Sequence, residues 1–277
     1  MEAAVGQVQE PDGWAPRGID VTVAHSARIY DWWLGGKDNF AADREVGEQF
    51  IRAIPTMRSM ALENRRFVDR AVRYLVGECG IRQFLDIGTG IPTSPNLHEA
   101  AQALAPEARI VYTDNDPIVL AHARALMTST EAGVTRYIEG DLCAPEKLLV
   151  EEALTDTLDL EKPVGLMLLA ILMLLRDSDD PYGHVRYLMD ALPSGSYVAI
   201  THPGRDFNPE AVAATVEMAV KSNIPYTPRI RSEVERFFDG WELIEPGVVP
   251  VMAWHPDGEP PADPYATYYW GGVARKP

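Results

Sequence analysis

Apolar residues recur along this chain at two different periods, and the change of period divides it. From Ala24 to Gly77 they fall three and four positions apart, the spacing of one helix face. Ser26 to Leu34 predicts a short helix stopped by Gly35-Gly36, Asp43 is placed to cap a helix running to Ala53, and Pro55 to Val76 predicts a long helix ending at Gly77. No strand signal interrupts this front section. From Ile81 the pattern becomes short apolar runs separated by helical stretches. The strands predicted are Arg82 to Ile87, Arg109 to Thr113, Val134 to Glu139, Val164 to Ala170 and Tyr197 to Thr201. The helices between them open on Thr93 or Ser94 before Pro95, on Asp116-Pro117 and on Asp180-Pro181. Such alternation predicts an α/β fold, a mostly parallel sheet with helices on both faces.

The last third breaks the alternation. Ala211 to Lys221 is helical, and Ser232 to Glu235 is a capping-box pattern whose helix ends near Gly240. Val248 to Trp254 and Tyr265 to Ala274 then read as strands, separated by the Pro/Asp/Gly-bearing loop Pro256 to Pro264, so they are expected to pair as an antiparallel hairpin. The total is seven strands. The expected organisation is a flexible tail over residues 1–18, a helical cap over 19–80 and a ligand-binding domain over 81–277.

Composition narrows the partners. Lys plus Arg is 25 against Asp plus Glu at 41, a formal net charge of −16. That surface repels phosphate backbones and anionic membranes, so neither nucleic acid nor membrane is an expected partner. Cys79 and Cys143 match no metal or redox spacing. The acidic first residues are unlike a signal peptide, and the run Val164 to Leu175 is too short to span a bilayer, so a cytoplasmic location is expected.

The most informative stretch is Phe84-Leu85-Asp86-Ile87-Gly88-Thr89-Gly90. An apolar strand ends in an acid and two glycines, which lets a bound ligand approach the backbone. Asp114 follows Gly88 by 26 residues, at the end of the next apolar run. The layout is that of a nucleoside half-site. A third glycine, as nicotinamide sites use, is missing: Ile91, Pro92 and Thr93 follow instead. The turn also lacks the Arg or Lys that would suit a pyrophosphate. An acid before the glycines favours a nucleoside joined to a cationic amino-acid part, and S-adenosyl-L-methionine fits.

On these residues, and on Ala27-Arg28-Ile29-Tyr30-Asp31, Leu34 to Phe40, Tyr112 to Pro117 and Gly272 to Pro277, the chain resembles an actinobacterial family of Class I S-adenosylmethionine-dependent methyltransferases, first recorded as a domain of unknown function. The resemblance runs from residue 27 to the C-terminus, and its most family-specific part is Gly35-Gly36-Lys37-Asp38-Asn39. It implies a Rossmann-like seven-stranded sheet closed by an antiparallel hairpin. It also implies roles: Asp86, Gly88 and Gly90 against the methionine part, Asp114 on the ribose hydroxyls, Asp141 on the adenine amino group, Leu142 over the ring, and Ala170 on the floor near the methyl group. Two positions depart from the pattern. Pro92 stands where many relatives have glycine, and Met173 where relatives often carry His.

Other polar residues divide between chemistry and architecture. Asp116 before Pro117 reads first as a helix cap, and Asn115 reads equally as a cofactor contact or a turn residue. Lys37, Asp38 and Asn39, set among Trp32, Trp33 and Phe40, suggest a segment that folds over the cofactor. His202, just past the fifth strand, could be a general base or only a turn residue before Pro203-Gly204. His98 and His122 read as surface or packing residues and His25 as local. His98-Glu99-Ala100-Ala101-Gln102 lacks the second His of a zinc helix, so no metal is expected. Cys143 is expected to be buried and inert. The reading is methyl transfer to a small molecule, with His202, Asp38 and Tyr30 as base candidates and an acceptor pocket built by the front section and residues 206–230. A cofactor-binding protein without turnover is the alternative, and a nicotinamide dehydrogenase a more distant one.

Overall fold

The computed structural model describes residues 20–116, 119, 129–259 and 261–277. The expected tail over residues 1–18, His122 and the helix opened by Asp116-Pro117 lie outside the described residues. Three helices come first: α1 (Ser26–Leu34), α2 (Ala41–Ala53) and α3 (Met57–Gly77). Then follow β1 (Gln83–Ile87), α4 (Leu97–Leu104), β2 (Arg109–Asp114), β3 (Val134–Glu139), two single-turn helices α5 (Pro145–Leu148) and α6 (Glu152–Thr155), β4 (Gly165–Leu169), α7 (Pro181–Ala191), β5 (Tyr197–Pro203), α8 (Pro209–Lys221), α9 (Arg231–Glu235), β6 (Glu242–Leu243), β7 (Val249–Pro250) and β8 (Tyr269–Arg275).

The sheet runs β3-β2-β1-β4-β5-β8-β6, with β7 also on β8. The first five strands pair in parallel, with Leu85 level with Val111 on one side and Leu166 on the other. β8 is antiparallel to β5, β6 and β7. Chain order reverses between β1 and β4, and the carboxyl ends of strands at such a reversal leave a crevice.

Each central strand feeds two cores. Phe84, Ile110, Tyr112, Met167 and Ala199 pack with α3, α4 and α8, and with Ile29 and Phe50 of the first two helices. The alternate positions Leu85, Val111, Leu166, Leu168, Val198 and Ile200 pack with α7 and with Leu148 and Leu154. Because both faces are covered, β1 and β5 are buried throughout, which is why their sequences read as unbroken apolar runs.

Three local expectations change. The helix after β1 opens at Leu97 rather than at Pro95, because Glu99 Oε2 accepts from Asn96 N at 2.7 Å and fixes the start there. Asp43 lies inside the first turn of α2, where its carboxylate takes the amide of Phe40 at 2.8 Å, the amide of His25 at 2.8 Å and Arg28 Nε at 2.9 Å. The sheet has eight strands. The run Val248 to Trp254 contributes only Val249–Pro250 as strand and then coils as a 3-10 turn. Pro250 has no amide to donate, and the carbonyls of Val251 and Trp254 are taken by Arg70 of α3 at 2.6 and 3.0 Å. The edge beside β8 is therefore shared by β7 and the two-residue β6, whose exposed Glu242 and Leu243 carry no strand periodicity. Among the described residues no helix is long and apolar enough to cross a membrane.

Candidate functional site

The β1–α4 turn closes back onto β2: the amides of Gly88 and Thr89 both donate to Thr113 O, at 2.8 and 3.2 Å. Gly88 sits at φ +71° with Ile171 packed where a Cβ would lie, so conformation and space both demand glycine there. Gly90, at φ +68°, has no atom within 4 Å of a Cβ position and presents open backbone. Its amide donates to Asp114 Oδ2 at 2.8 Å, while Asp114 Oδ1 accepts from Asp116 N at 2.9 Å. Two neighbouring turns are thereby locked through one carboxylate.

These turns border a cavity of about 610 Å³ at the strand carboxyl ends. Asp86, Gly88, Gly90, Asp114, Asn115, Asp141, Leu142 and Ala170 all line it, so the predicted cofactor set converges from four separate strand ends. Asp86 is buried and its carboxyl makes no hydrogen bond among the described residues. Burial pushes it up to about 7, with the Asp114 charge adding to that and the Arg65 guanidinium opposing it. Burial also raises Asp114, against the pull of its two amide donors. Asp141 Oδ1 accepts from Cys143 N at 2.9 Å, which turns the chain so that Leu142 is buried at the cavity edge. Ala170 closes β4 at φ +54°, its amide held by Thr201 Oγ1 at 3.0 Å.

The three base candidates separate. Tyr30 lines the cavity, but its hydroxyl donates to Ala61 O at 3.2 Å and accepts from Asn64 Nδ2 at 2.9 Å, and burial raises it further above its ordinary range. Asp38 is not a lining residue. His202 lies within β5 rather than past its end and is fully buried, with Nε2 2.9 Å from Arg229 Nη1 and Nδ1 3.0 Å from Pro203 O. Burial and the Arg229 charge push it down to about 3. A substrate in the cavity does not meet that ring, so the general-base reading of His202 is withdrawn: its neighbours hold it neutral, as part of a buried joint around Arg229.

The segment expected to fold over the cofactor does something else. Asp31 Oδ2 accepts from Asp38 N at 3.0 Å and from Asn39 Nδ2 at 2.7 Å, and Asp31 also fills the space where a Cβ on Gly36 would project. Gly-Gly-Lys-Asp-Asn thus wraps the end of α1. It is α1 that reaches the cavity, through Ser26, Ala27, Tyr30, Asp31 and Leu34. His25, read as merely local, lines it too, with Nδ1 2.9 Å from Asp116 Oδ2. Cys143 is exposed at the cavity edge rather than buried.

Asn64 and Arg65 escaped the reading altogether. A signal existed for Asn64: it occupies an apolar stripe of α3 between Met57, Met60, Ala61 and Phe67, Val68, Ala71. A polar residue inside such a stripe needs a reason. Tyr30 and Met173 border both the cavity and a small apolar annex of about 30 Å³, lined further by Phe50, Met57, Tyr226 and Tyr269.

Comparison with known proteins agrees with this geometry. A family model described as S-adenosyl methyltransferase matches residues 12–277. The structure of a DUF574 family protein from Streptomyces avermitilis superposes with a TM-score of 0.90 at 48% identity, covering 93% of this chain and 99% of that one. A proposed methyltransferase from Thermobifida fusca superposes with a TM-score of 0.87 at 37% identity, covering 95% and 99%. No match was found among curated proteins. The chain belongs to the S-adenosyl methyltransferase family, and its cofactor is S-adenosylmethionine.

Proposed function

We propose that this methyltransferase acts on a small, largely apolar molecule, and that the residues converging on the cavity divide between holding the cofactor and shaping the acceptor site. The observation that carries the proposal is that the nucleoside cradle and the apolar annex share Tyr30 and Met173 as walls. Bound S-adenosylmethionine supplies an electrophilic methyl group on a sulfonium centre. Asp114, still able to accept beyond its two amide donors, takes the ribose hydroxyls. Asp141 accepts from the adenine amino group and Leu142 covers the ring. Asp86, Gly88 and the open backbone of Gly90 receive the methionine part, and Ala170 floors the site.

The fit rests on the structure. Gly90 leaves room that a Cβ would fill, and the buried Asp86 carboxyl has no hydrogen bond among the described residues. On the acceptor side, α1 and residues 223–225 wall the cavity, and the annex is lined by Ile29, Trp33, Phe50, Met57 and Met60. Such walls exclude water and align an apolar acceptor, which supplies rate without a protein base.

Incubating the full chain with S-adenosylmethionine carrying a labelled methyl group, in the presence of separated cell fractions, tests the substrate class. Label is expected in the low-mass organic fraction. Label confined to protein or to nucleic acid would refute the small-molecule reading.

A further inference from the structure

Asn64 is buried, 3% exposed, and its Oδ1 has no hydrogen-bond partner although the residue lines the cavity. The orientation of its amide is fixed by its neighbours. Tyr30 donates its one proton to Ala61 O, so whatever faces the Tyr30 hydroxyl from Asn64 must itself donate; that is Nδ2, at 2.9 Å. Oδ1 is left as a bare acceptor beside the cavity. One residue on, Arg65 spends only Nη2 on protein, donating to Thr93 O at 2.8 Å and Pro95 O at 2.7 Å. Nη1 and Nε make no hydrogen bond among the described residues.

The cavity wall thus holds three residues of complementary chemistry: Asp86 with its carboxyl, Asn64 with an unpartnered amide oxygen, and Arg65 with a guanidinium. Asp86 and Arg65 feel one another's charge, yet among the described residues they form no direct ion pair. Opposite charges that share a pocket without closing on each other leave a place for a ligand carrying both signs. An α-amino acid end is such a group: its ammonium needs acceptors, and its carboxylate needs paired N–H donors, which the planar guanidinium presents.

We infer that α3 supplies the grip on the amino-acid end of the cofactor, Arg65 taking the carboxylate and Asn64 Oδ1 joining Asp86 on the ammonium. This inference rests on the cofactor reading and adds the residues that the glycine-turn motif does not contain. It also explains why the turn needs no cation of its own: the cation arrives from the helical front section.

Titration calorimetry of the full chain with two ligands tests it. S-adenosylhomocysteine has the amino-acid end, and 5′-methylthioadenosine has the same nucleoside and thioether without it. Arg65→Met and Asn64→Leu keep side-chain volume while removing the polar group. Each is expected to weaken S-adenosylhomocysteine by about 10- to 100-fold and to leave methylthioadenosine unchanged, and Arg65→Lys to fall between. If both ligands weaken in the same proportion, Arg65 acts only by bracing the residue 93–95 loop and the inference fails. Unchanged binding of S-adenosylhomocysteine overturns it as well. If the wild-type chain binds neither ligand, the cofactor assignment itself is wrong, a result distinct from either.

Discussion

The nucleoside side of the cavity and its helical side are built on opposite principles. On the nucleoside side, function is tied to backbone shape: Gly88 and Gly90 hold positive φ, and Asp114 ties the two neighbouring turns through their amides. On the helical side, residues of α3 and the N-cap of α1 acquire roles only through where α1 and α3 are set down. Asn64 reaches Tyr30, Arg65 reaches Thr93 and His25 reaches Asp116, each across a wide gap in sequence. A backbone requirement leaves a recognisable residue type behind, whereas a placement requirement does not. The first kind of site can be read from residues; the second must be seen assembled.

The comparison breaks most sharply at the joint that sets the helical side down. Asp43 is fully buried and carries Arg28, the start of α1 and the start of α2 on one carboxylate. Asp43→Ala leaves the Arg28 guanidinium buried without its partner, at a cost of about 3–5 kcal/mol. Chemical denaturation is expected to show that loss. If the two sides are independent, S-adenosylhomocysteine binding drops steeply while methylthioadenosine binding, which needs mainly the nucleoside side, persists. Equal loss of both ligands would show that the helices also support the glycine turn.

The reciprocal experiment is Gly88→Val. A β-branched side chain at φ +71° collides with Ile171, and the combined conformational and packing cost is about 3 kcal/mol. Here both ligands are expected to lose binding together, because the shared nucleoside cradle is deformed. Retained methylthioadenosine binding in this variant would mean that the turn does not form the cradle.

The same contrast explains how much was legible beforehand. Parallel strands buried on both faces appear as apolar runs, so β1 to β5 were legible, and so were Asp86, Gly88, Gly90, Asp114, Asp141 and Ala170 as residues that border the cavity near strand ends. The antiparallel pairing of Val248 to Trp254 with the last strand was found too, but β7 was read too long, because the residues after it give their carbonyls to Arg70, and β6 was missed, because it pairs through two exposed residues. His202 was misread for a related reason. The strand runs two residues further than its apolar run, through His202, and a histidine near a strand's carboxyl end can face the crevice or a core; only the buried Arg229, arriving from another segment, decides between them. Gly-Gly-Lys-Asp-Asn was recognisable as special, but it serves Asp31 of α1, and it is Asp31 rather than the segment itself that borders the cavity.

A smaller effect sharpens the nucleoside side. Asp114→Asn removes the charge and leaves one of the two backbone amides facing an NH2 instead of an oxygen, so S-adenosylhomocysteine is expected to weaken about tenfold with a loss of about 1 kcal/mol in stability. Full-strength binding would remove Asp114 from the ribose.

The smallest and most specific effect belongs to Asp86, which lies where the two sides meet. Its carboxyl sits at about 7 in the folded chain, above its ordinary unfolded value, so folding favours the protonated form. The stability this contributes is complete below the unfolded value near pH 4 and is lost as pH rises through 7. Asp86→Asn, neutral at every pH, should therefore match the wild type at pH 4 and be more stable than it at pH 8. Cofactor binding should move the other way, since a cationic ammonium prefers the ionised carboxylate. Wild-type affinity for S-adenosylhomocysteine is expected to climb between about pH 6 and 8, by at most about tenfold per unit, with up to one proton released on binding. Asp86→Asn should bind more weakly at pH 8 and flatten that profile. Parallel profiles for the two proteins would mean that Asp86 does not face the charged end of the ligand, and that the nucleoside side holds the methionine part through backbone alone.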